Sequence, residues 1–247
     1  MFADFYQDLF AARSGGLEKK PWAEEDGKET EAITSGEIRK QLKKMAKHKA
    51  ADHKGLVVEM LQEGSNKLLE IIADVFNDIL GGTEAPPDEW KKSRIIVLYK
   101  KDDPTLPDNY RPITLLHILQ KLFSKVICSR ISGILDQAQF PDQAGFREGY
   151  SCQDHLHSIV LIVEAMAEFQ LPLWVCAIDF KKAFDSVEHD HIWDALHRQN
   201  VPHRYIRKLA QLYEGQTATI VTDKVSKEFG IGRGTKQGDP ISPKLFN

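Results

Sequence analysis

The 247-residue chain has only three cysteines, Cys128, Cys152 and Cys176. They are widely spaced, no pair has metal-ligand spacing, and an odd number argues against a disulfide scaffold. Reduced core thiols are the expectation, which suits an intracellular location, cytoplasm or nucleus. The start, Met1 to Phe10, carries acids and lacks a basic segment, so it does not read as a secretory signal. No apolar run reaches the length of a membrane span, and no membrane partner is expected. An excess of positive charge is missing too. The net charge is −3, so the chain as a whole lacks the electrostatic footprint of a nucleic-acid binder.

The charge that is there is unevenly placed. Residues 1–90 hold 12 Lys and Arg against 18 Asp and Glu, whereas residues 91–247 hold 21 against 18. A phosphate-binding surface would therefore lie in the second part. The length allows one large domain or two lobes.

The chain divides as follows. Residues 1–33 are expected to be an irregular, mobile tail, with Gly15-Gly16 and the acidic run Glu24-Glu25-Asp26. Residues 34–90 form a helical lead-in. Thr34-Ser-Gly-Glu37 has the capping-box pattern, and Ile38, Leu42 and Met45 follow at helical spacing. Lys43, Lys44, Lys47 and Lys49 read as a solvated face, with template contact as the second reading. A second helix runs from about Ser65 to Leu80, with Leu68, Ile72, Val75 and Ile79 on one face and Gly81-Gly82 as its stop. Arg94–Tyr99 reads as a strand, with Pro104 and Pro107 in the loop after it. Helices are expected over 115–131, 156–169, 189–199 and 203–213, the last two split by Pro202. Strands are expected over 173–179 and 217–222, and residues 226–231 pair with the latter. The fold class is α+β, with helices on a small, partly antiparallel sheet and no internal repeat.

The chemistry concentrates in Ala177-Ile-Asp-Phe-Lys-Lys-Ala-Phe-Asp-Ser-Val187. An apolar run, Leu173 to Ile178, ends abruptly in Asp179. Phe184 follows five residues later, and then Asp185. A carboxylate at the end of a core strand is costly unless something pairs with it. A hard divalent cation is a natural partner, since Mg²⁺ is held by one or two carboxylates together with substrate phosphates. An isolated Asp after a strand more often caps a helix. Three other blocks argue against that here. They are Lys100-Lys101 followed by Asn109-Tyr-Arg-Pro-Ile-Thr-Leu115, then Gln143-Ala-Gly-Phe-Arg-Glu-Gly-Tyr-Ser-Cys152, and finally Gly230-Ile-Gly-Arg-Gly-Thr-Lys-Gln-Gly-Asp-Pro-Ile-Ser-Pro243.

These four blocks, in this order, resemble the reverse transcriptase domain of non-LTR (LINE-type) retrotransposons. The resemblance covers roughly Lys91 to Asn247, and the lead-in from about Thr34 more weakly. It implies a right-hand polymerase fold. Residues 91–172 would be a fingers-like region with part of the palm, and 173–247 an incomplete palm without a thumb. The implied activity is RNA-directed DNA synthesis by two-metal nucleotidyl transfer, with two Mg²⁺ ions in the complete family enzyme. An RNA template, a DNA primer and deoxynucleoside triphosphates are the implied partners. Oligomeric state is left open.

The resemblance also assigns roles. Asp179 is the first catalytic metal ligand, and the Phe180 backbone carbonyl faces the same metal. Phe184 is the steric gate against a 2′-hydroxyl, although its spacing alone would suit a core aromatic. Lys100 or Lys101, with Arg111, grips the incoming triphosphate. Gln237 and Gly238 contact the incoming nucleotide and the template base, and Arg147 the template backbone. Asp185 is structural in the family.

Two departures stand out. The family's Tyr/Phe-Ala-Asp-Asp block, which follows the helix beginning near Ser242, is not in these 247 residues. The chain thus reads as a fragment with little or no polymerase activity, or as a non-catalytic nucleic-acid-binding relic. The lead-in reads Ala50-Ala-Asp-His-Lys-Gly55 where the family often has Pro-Gly-x-Asp-Gly. Two closely spaced aspartates also occur in the first block of RNA-dependent RNA polymerases, the alternative enzyme class. Phe184 and the Lys-Gln-Gly-Asp-Pro loop favour reverse transcriptase. A decayed reading frame with exposed apolar surface is the third possibility.

Overall fold

The computed structural model describes residues 1–13, 15–17 and 20–247. Among them, ten α-helices and four strands follow one another along the chain. The order is α1 (Phe2–Phe10), α2 (Ser35–Lys43), α3 (Val58–Gln62), α4 (Asn66–Gly81), β1 (Lys92–Tyr99), β2 (Tyr110–Leu115), α5 (Ile118–Ala138), α6 (Cys152–Glu168), α7 (Ala183–Ser186), α8 (His189–Arg198), α9 (His203–Tyr213), β3 (Thr217–Val221), β4 (Phe229–Gly230) and α10 (Ser242–Phe246). The fold is mixed α+β.

The sheet has the order β2-β1-β3-β4. β1 runs antiparallel to β2, with Leu98 opposite Arg111 and Tyr99 opposite Tyr110. It runs parallel to β3, with Ile95 opposite Ile220. β4 closes the far edge, antiparallel to β3. The expected pairing of 226–231 with 217–222 is found, reduced to Phe229 and Gly230.

The larger core is helical. Leu69, Ile72, Phe76 and Ile79 of α4 pack with Leu122, Phe123, Val126, Ile127 and Ile131 of α5, and with Ile206, Leu209 and Leu212 of α9. These residues recur at three- and four-residue steps, as one buried helix face requires. Arg130 of α5 clamps this layer. Its guanidinium donates to both Glu37 oxygens at 2.9 and 2.7 Å, to the Ala32 carbonyl at 3.0 Å and to the Tyr205 hydroxyl at 3.3 Å.

Helix ends follow their local chemistry. The Thr34 hydroxyl accepts from the Glu37 N–H and starts α2. Ser65 caps α4 through the Leu68 N–H, and Gly82, left-handed at φ 90°, ends it.

Several expectations are corrected. The buried stripe of α4 runs through Leu69, Ile72, Ala73, Phe76, Ile79 and Leu80, whereas Val75 is exposed. The spacing Leu68–Ile72–Val75–Ile79 is equally helical, but Leu69 and Phe76 are the buried ones, and the Phe76 ring meets Phe123 of α5 at 5.0 Å. The helix expected at 115–131 starts at Ile118 and runs to Ala138, because 110–115 is strand β2.

Residues 2–10 are not an irregular tail. Tyr6 and Phe10 of α1 pack on Ile95, Ala218, Ile220 and Phe229 of the sheet, a burial that outweighs the segment's acidity. Ser14, Glu18 and Lys19 of that tail lie outside the described residues. Cys152 and Cys176 are exposed rather than core thiols, and Cys128 is half-buried.

The run 173–179 is not a strand. No described strand lies alongside it, and an extended segment gains ladder hydrogen bonds only from a neighbour. Trp174 is 92 % and Ile178 77 % exposed. α6, capped by Ser151 through the Gln153 N–H, likewise buries no residue among those described.

Candidate functional site

The site is built from the tip of the β1–β2 hairpin, the turn after Asp179 and the glycine loop before α10. The hairpin register places Lys100 beside Asn109, whose carbonyl accepts the Lys100 N–H at 2.9 Å. This brings Lys100, Lys101 and Arg111 to one end of the sheet. The 179–182 turn faces them. Lys182 adopts the left-handed conformation (φ 53°) and turns the chain into α7.

The glycine loop is fixed from two sides by backbone hydrogen bonds. Gly234 N–H donates to the Val187 carbonyl at 2.7 Å, and Thr235 N–H to the Phe184 carbonyl at 2.8 Å. On the other side, Thr114 N–H of β2 donates to the Gln237 carbonyl at 2.7 Å. Two glycines make this docking possible. A Cβ on Gly234 (φ +86°) would sit 2.8 Å from the Asp185 carbonyl, and one on Gly238 (φ +120°) would sit 2.7 Å from that of Thr114.

The result is an open cleft of about 450 Å³ lined by Lys100, Lys101, Arg111, Asp179, Phe180 and Gln237, together with Asp108, Lys181, Lys182 and Asp185. Six of the nine residues assigned by resemblance thus meet in one place, from three blocks far apart in sequence.

Its electrostatics are cationic with one free acid. Lys181 and Lys182 pair with Asp108 at 3.0 and 3.3 Å. The Lys181 hydrogen bond leads in holding the Asp108 carboxyl below its ordinary range, against the opposing effect of burial. Lys100 and Arg111 form no ion pair among the described residues, and neither does Asp179, which is exposed.

Asp185 has a different environment. It is buried, and its Oδ1 accepts from the Gln237 side-chain amide at 2.9 Å. Burial pushes its pKa up to about 6, with the Gln237 bond and nearby Lys182 acting in the opposite direction.

Three assigned residues stand outside this lining. The half-buried Phe184 ring stacks on Phe246 (centroids 4.5 Å, planes 22° apart) and meets Phe146 edge-on at 5.7 Å. Gly238 is exposed and is not among the lining residues. The Arg147 guanidinium donates to the Phe140 and Asp136 carbonyls at 3.1 and 3.3 Å and lies over the Tyr150 ring at 4.2 Å. It closes the end of α5, where a cation meets free carbonyls.

Sequence reasoning missed two contributors. Lys182, three residues after Asp179, lines the cleft without being part of the motif assignment. α1, in the segment expected to be tail, is the other: its Tyr6 hydroxyl donates to the carbonyl of Tyr110, a lining residue, at 3.2 Å. The carbonyls at the end of α1 in turn accept from the glycine loop: Phe10 from Gly232 N–H at 2.8 Å, and Leu9 from Arg233 Nε at 2.7 Å. The aromatic spacing Phe2, Tyr6, Phe10 was the available signal.

A family model described as reverse transcriptase (RNA-dependent DNA polymerase) matches residues 98–247. Among curated proteins, the chain is 31 % identical over 187 residues to the retrovirus-related Pol polyprotein from type-1 retrotransposable element R2 of Nasonia vitripennis, covering 74 % of this chain and 18 % of that one. It is 28 % identical over 162 residues to the corresponding polyprotein of type-2 element R2DM of Drosophila melanogaster, covering 65 % and 15 %. It is 28 % identical over 220 residues to the RNA-directed DNA polymerase from mobile element jockey of Drosophila melanogaster, covering 87 % and 24 %. The chain spans less than a quarter of the length of each of these relatives. With four ordered motifs and a match over more than half its length, the chain belongs to the reverse transcriptase (RNA-dependent DNA polymerase) family, in its non-LTR, LINE-type branch.

Proposed function

We propose that the cleft is the nucleotide site of an RNA-directed DNA polymerase and that this chain supplies its fingers and part of its palm. The carrying observation is the convergence of Lys100, Lys101, Arg111, Asp179 and Gln237 on one cleft. The lysines and Arg111 bind the triphosphate of an incoming deoxynucleotide, Arg111 with its planar fork and either lysine as a point charge. The Gln237 amide is oriented by Asp185 and faces the base. Phe184, whose ring packs against Phe146 and Phe246 beside the lining, takes the role of barrier to a 2′-hydroxyl on the strength of the family motif. Primer 3′-hydroxyl, RNA template and deoxynucleotide are the partners this reading requires.

A divalent ion fits the residues present in one place. Asp179 is exposed in the cleft without an ion-pair partner among the described residues, while Asp108 is held by lysines and Asp185 is buried on Gln237. The Asp179 carboxylate and the Phe180 carbonyl would hold one Mg²⁺ jointly with substrate phosphates, which is how that ion is usually bound. When bound, it neutralises charge on the phosphates. The lining offers no free carboxylate for a second ion, so strong synthesis by these residues alone is not expected. The same shortage supports a second reading, a module that binds nucleic acid without copying it.

Titration of the chain with deoxynucleoside triphosphate in Mg²⁺, followed by primer extension on an RNA template, separates the two. Saturable binding lost in Asp179→Asn and Arg111→Ala supports the nucleotide site. Salt-dependent RNA binding with no nucleotide binding supports the second reading. Robust extension by the chain itself overturns the one-ion argument.

A further inference from the structure

Away from the cleft, three segments distant in sequence meet at the start of α5. His117 is the residue before that helix. His53 lies in the turn 52–55, whose shape is fixed by Asp52: its Oδ1 accepts from Lys54 N–H at 2.9 Å and Leu56 N–H at 3.0 Å, and its Oδ2 from Ile118 N–H at 3.2 Å. Glu89 lies in the one-turn 3₁₀ helix Asp88–Lys91 that leads into β1. One ligand atom each of His53, Glu89 and His117 lie within 4.8 Å of one another. The two imidazoles meet edge to face with centroids 3.7 Å apart.

A second, independent observation points to a ligand. His117 is 6 % exposed, and its Nε2 is buried with no hydrogen-bond partner. A buried, unsatisfied ring nitrogen calls for an explanation, an unseen ion among them. The other ring nitrogen, Nδ1, has a carboxylate nearby. Asp52 Oδ2 lies 3.9 Å from Nδ1, beyond hydrogen-bond reach, and acts on the ring by charge.

We propose that His53, His117 and Glu89 bind a zinc-type divalent cation that pins the 52–55 turn to the start of β1 and the start of α5. Two imidazoles and one carboxylate are donors that suit zinc, with a fourth position open to water. Magnesium, which takes oxygen ligands, is disfavoured. Ligand atoms around a tetrahedral zinc lie about 3.4 Å apart given bonds of about 2.0–2.2 Å. His53 and Glu89 are exposed and free to close the remaining distance. The Lys54 ammonium, 2.9 Å from Glu89 Oε1, is the competitor for that carboxylate. That pair is itself exposed, so its hold is weak.

The test is a titration of the untagged chain with Co²⁺, read by its visible d–d absorption, and with Zn²⁺ in competition. One equivalent of Co²⁺ displaced by Zn²⁺ is expected. His53→Ala and Glu89→Gln each weaken binding about 10-fold or more, and Lys54→Ala strengthens it. Both ligand variants alter exposed side chains, so metal-free thermal unfolding should be unchanged, which separates lost binding from misfolding. The chain has nine histidines, so the variants decide rather than bare uptake. Uptake unaffected by the paired His53→Ala, Glu89→Gln variant, uptake abolished by Asp179→Asn, or no saturable uptake would each overturn the proposal.

Discussion

The Gln237 side-chain amide donates to the buried Oδ1 of Asp185 across 2.9 Å and ties the glycine loop to the short helix that follows Asp179. Two blocks more than fifty positions apart are thereby held in fixed relation at the cleft.

This bond has a pH signature. Burial raises the Asp185 pKa to about 6 in the folded chain, above its unfolded value of 3.8. Stability contributed by this group is therefore fully present below about pH 4 and is lost as pH rises through about 6. Asp185→Asn keeps the acceptor oxygen and removes the buried charge. It should raise the melting temperature at pH 7.5 by roughly 2–4 °C or more and flatten this contribution between pH 4 and 6. Asp185→Ala, which leaves Gln237 unpaired, should lower it. An unchanged pH dependence in Asp185→Asn would show that another group sets it.

Gly234 and Gly238 predict a steric result. Alanine at either position meets a backbone carbonyl at 2.8 or 2.7 Å and needs a positive φ. Each substitution should destabilise the chain by about 1–3 kcal/mol in urea unfolding. Gly15, whose Cβ would meet nothing within 4 Å, should tolerate alanine.

The apolar residues of 171–180 and α6 predict a solubility result. Trp174, Val175 and Ile178 are each more than 70 % exposed, and Ile159, Val160 and Ile162 of α6 are exposed as well. Apolar side chains exposed in this number promote association. The chain should bind a hydrophobic dye and self-associate with concentration. Trp174→Ser with Ile178→Ser should reduce both without lowering the melting temperature, since no buried contact is lost. A drop in melting temperature would show that this segment is packed in solution.

How far the sequence foretold the fold depends on where the physics is local. α8 and α9 were legible because Pro202 cannot continue a helix and the apolar periodicity resumes after it. α4 was legible from Ser65 and Gly82, which cap its two ends. The strand alternation of 217–221 survived intact. α1 was not legible, because nine residues gain little helical stability on their own and this helix depends on Tyr6 and Phe10 docking against a sheet formed by distant strands. The 173–179 run failed for the opposite reason. Its composition announces a need for burial but not which neighbour meets it. The cleft was legible as motifs, since Lys100, Arg111, Asp179 and Gln237 stand in recognisable blocks. The pairing of Asp108 with Lys181 and Lys182 required the hairpin register, which no short motif contains.

The central claim, that this cleft binds a nucleotide through Asp179 and Arg111, is tested most directly by calorimetric titration with a deoxynucleoside triphosphate in Mg²⁺. The account predicts one saturable site per chain. Asp179→Asn should weaken it only when Mg²⁺ is present, and Arg111→Ala should weaken it with or without the metal. No saturable binding, or binding indifferent to both substitutions, would contradict it.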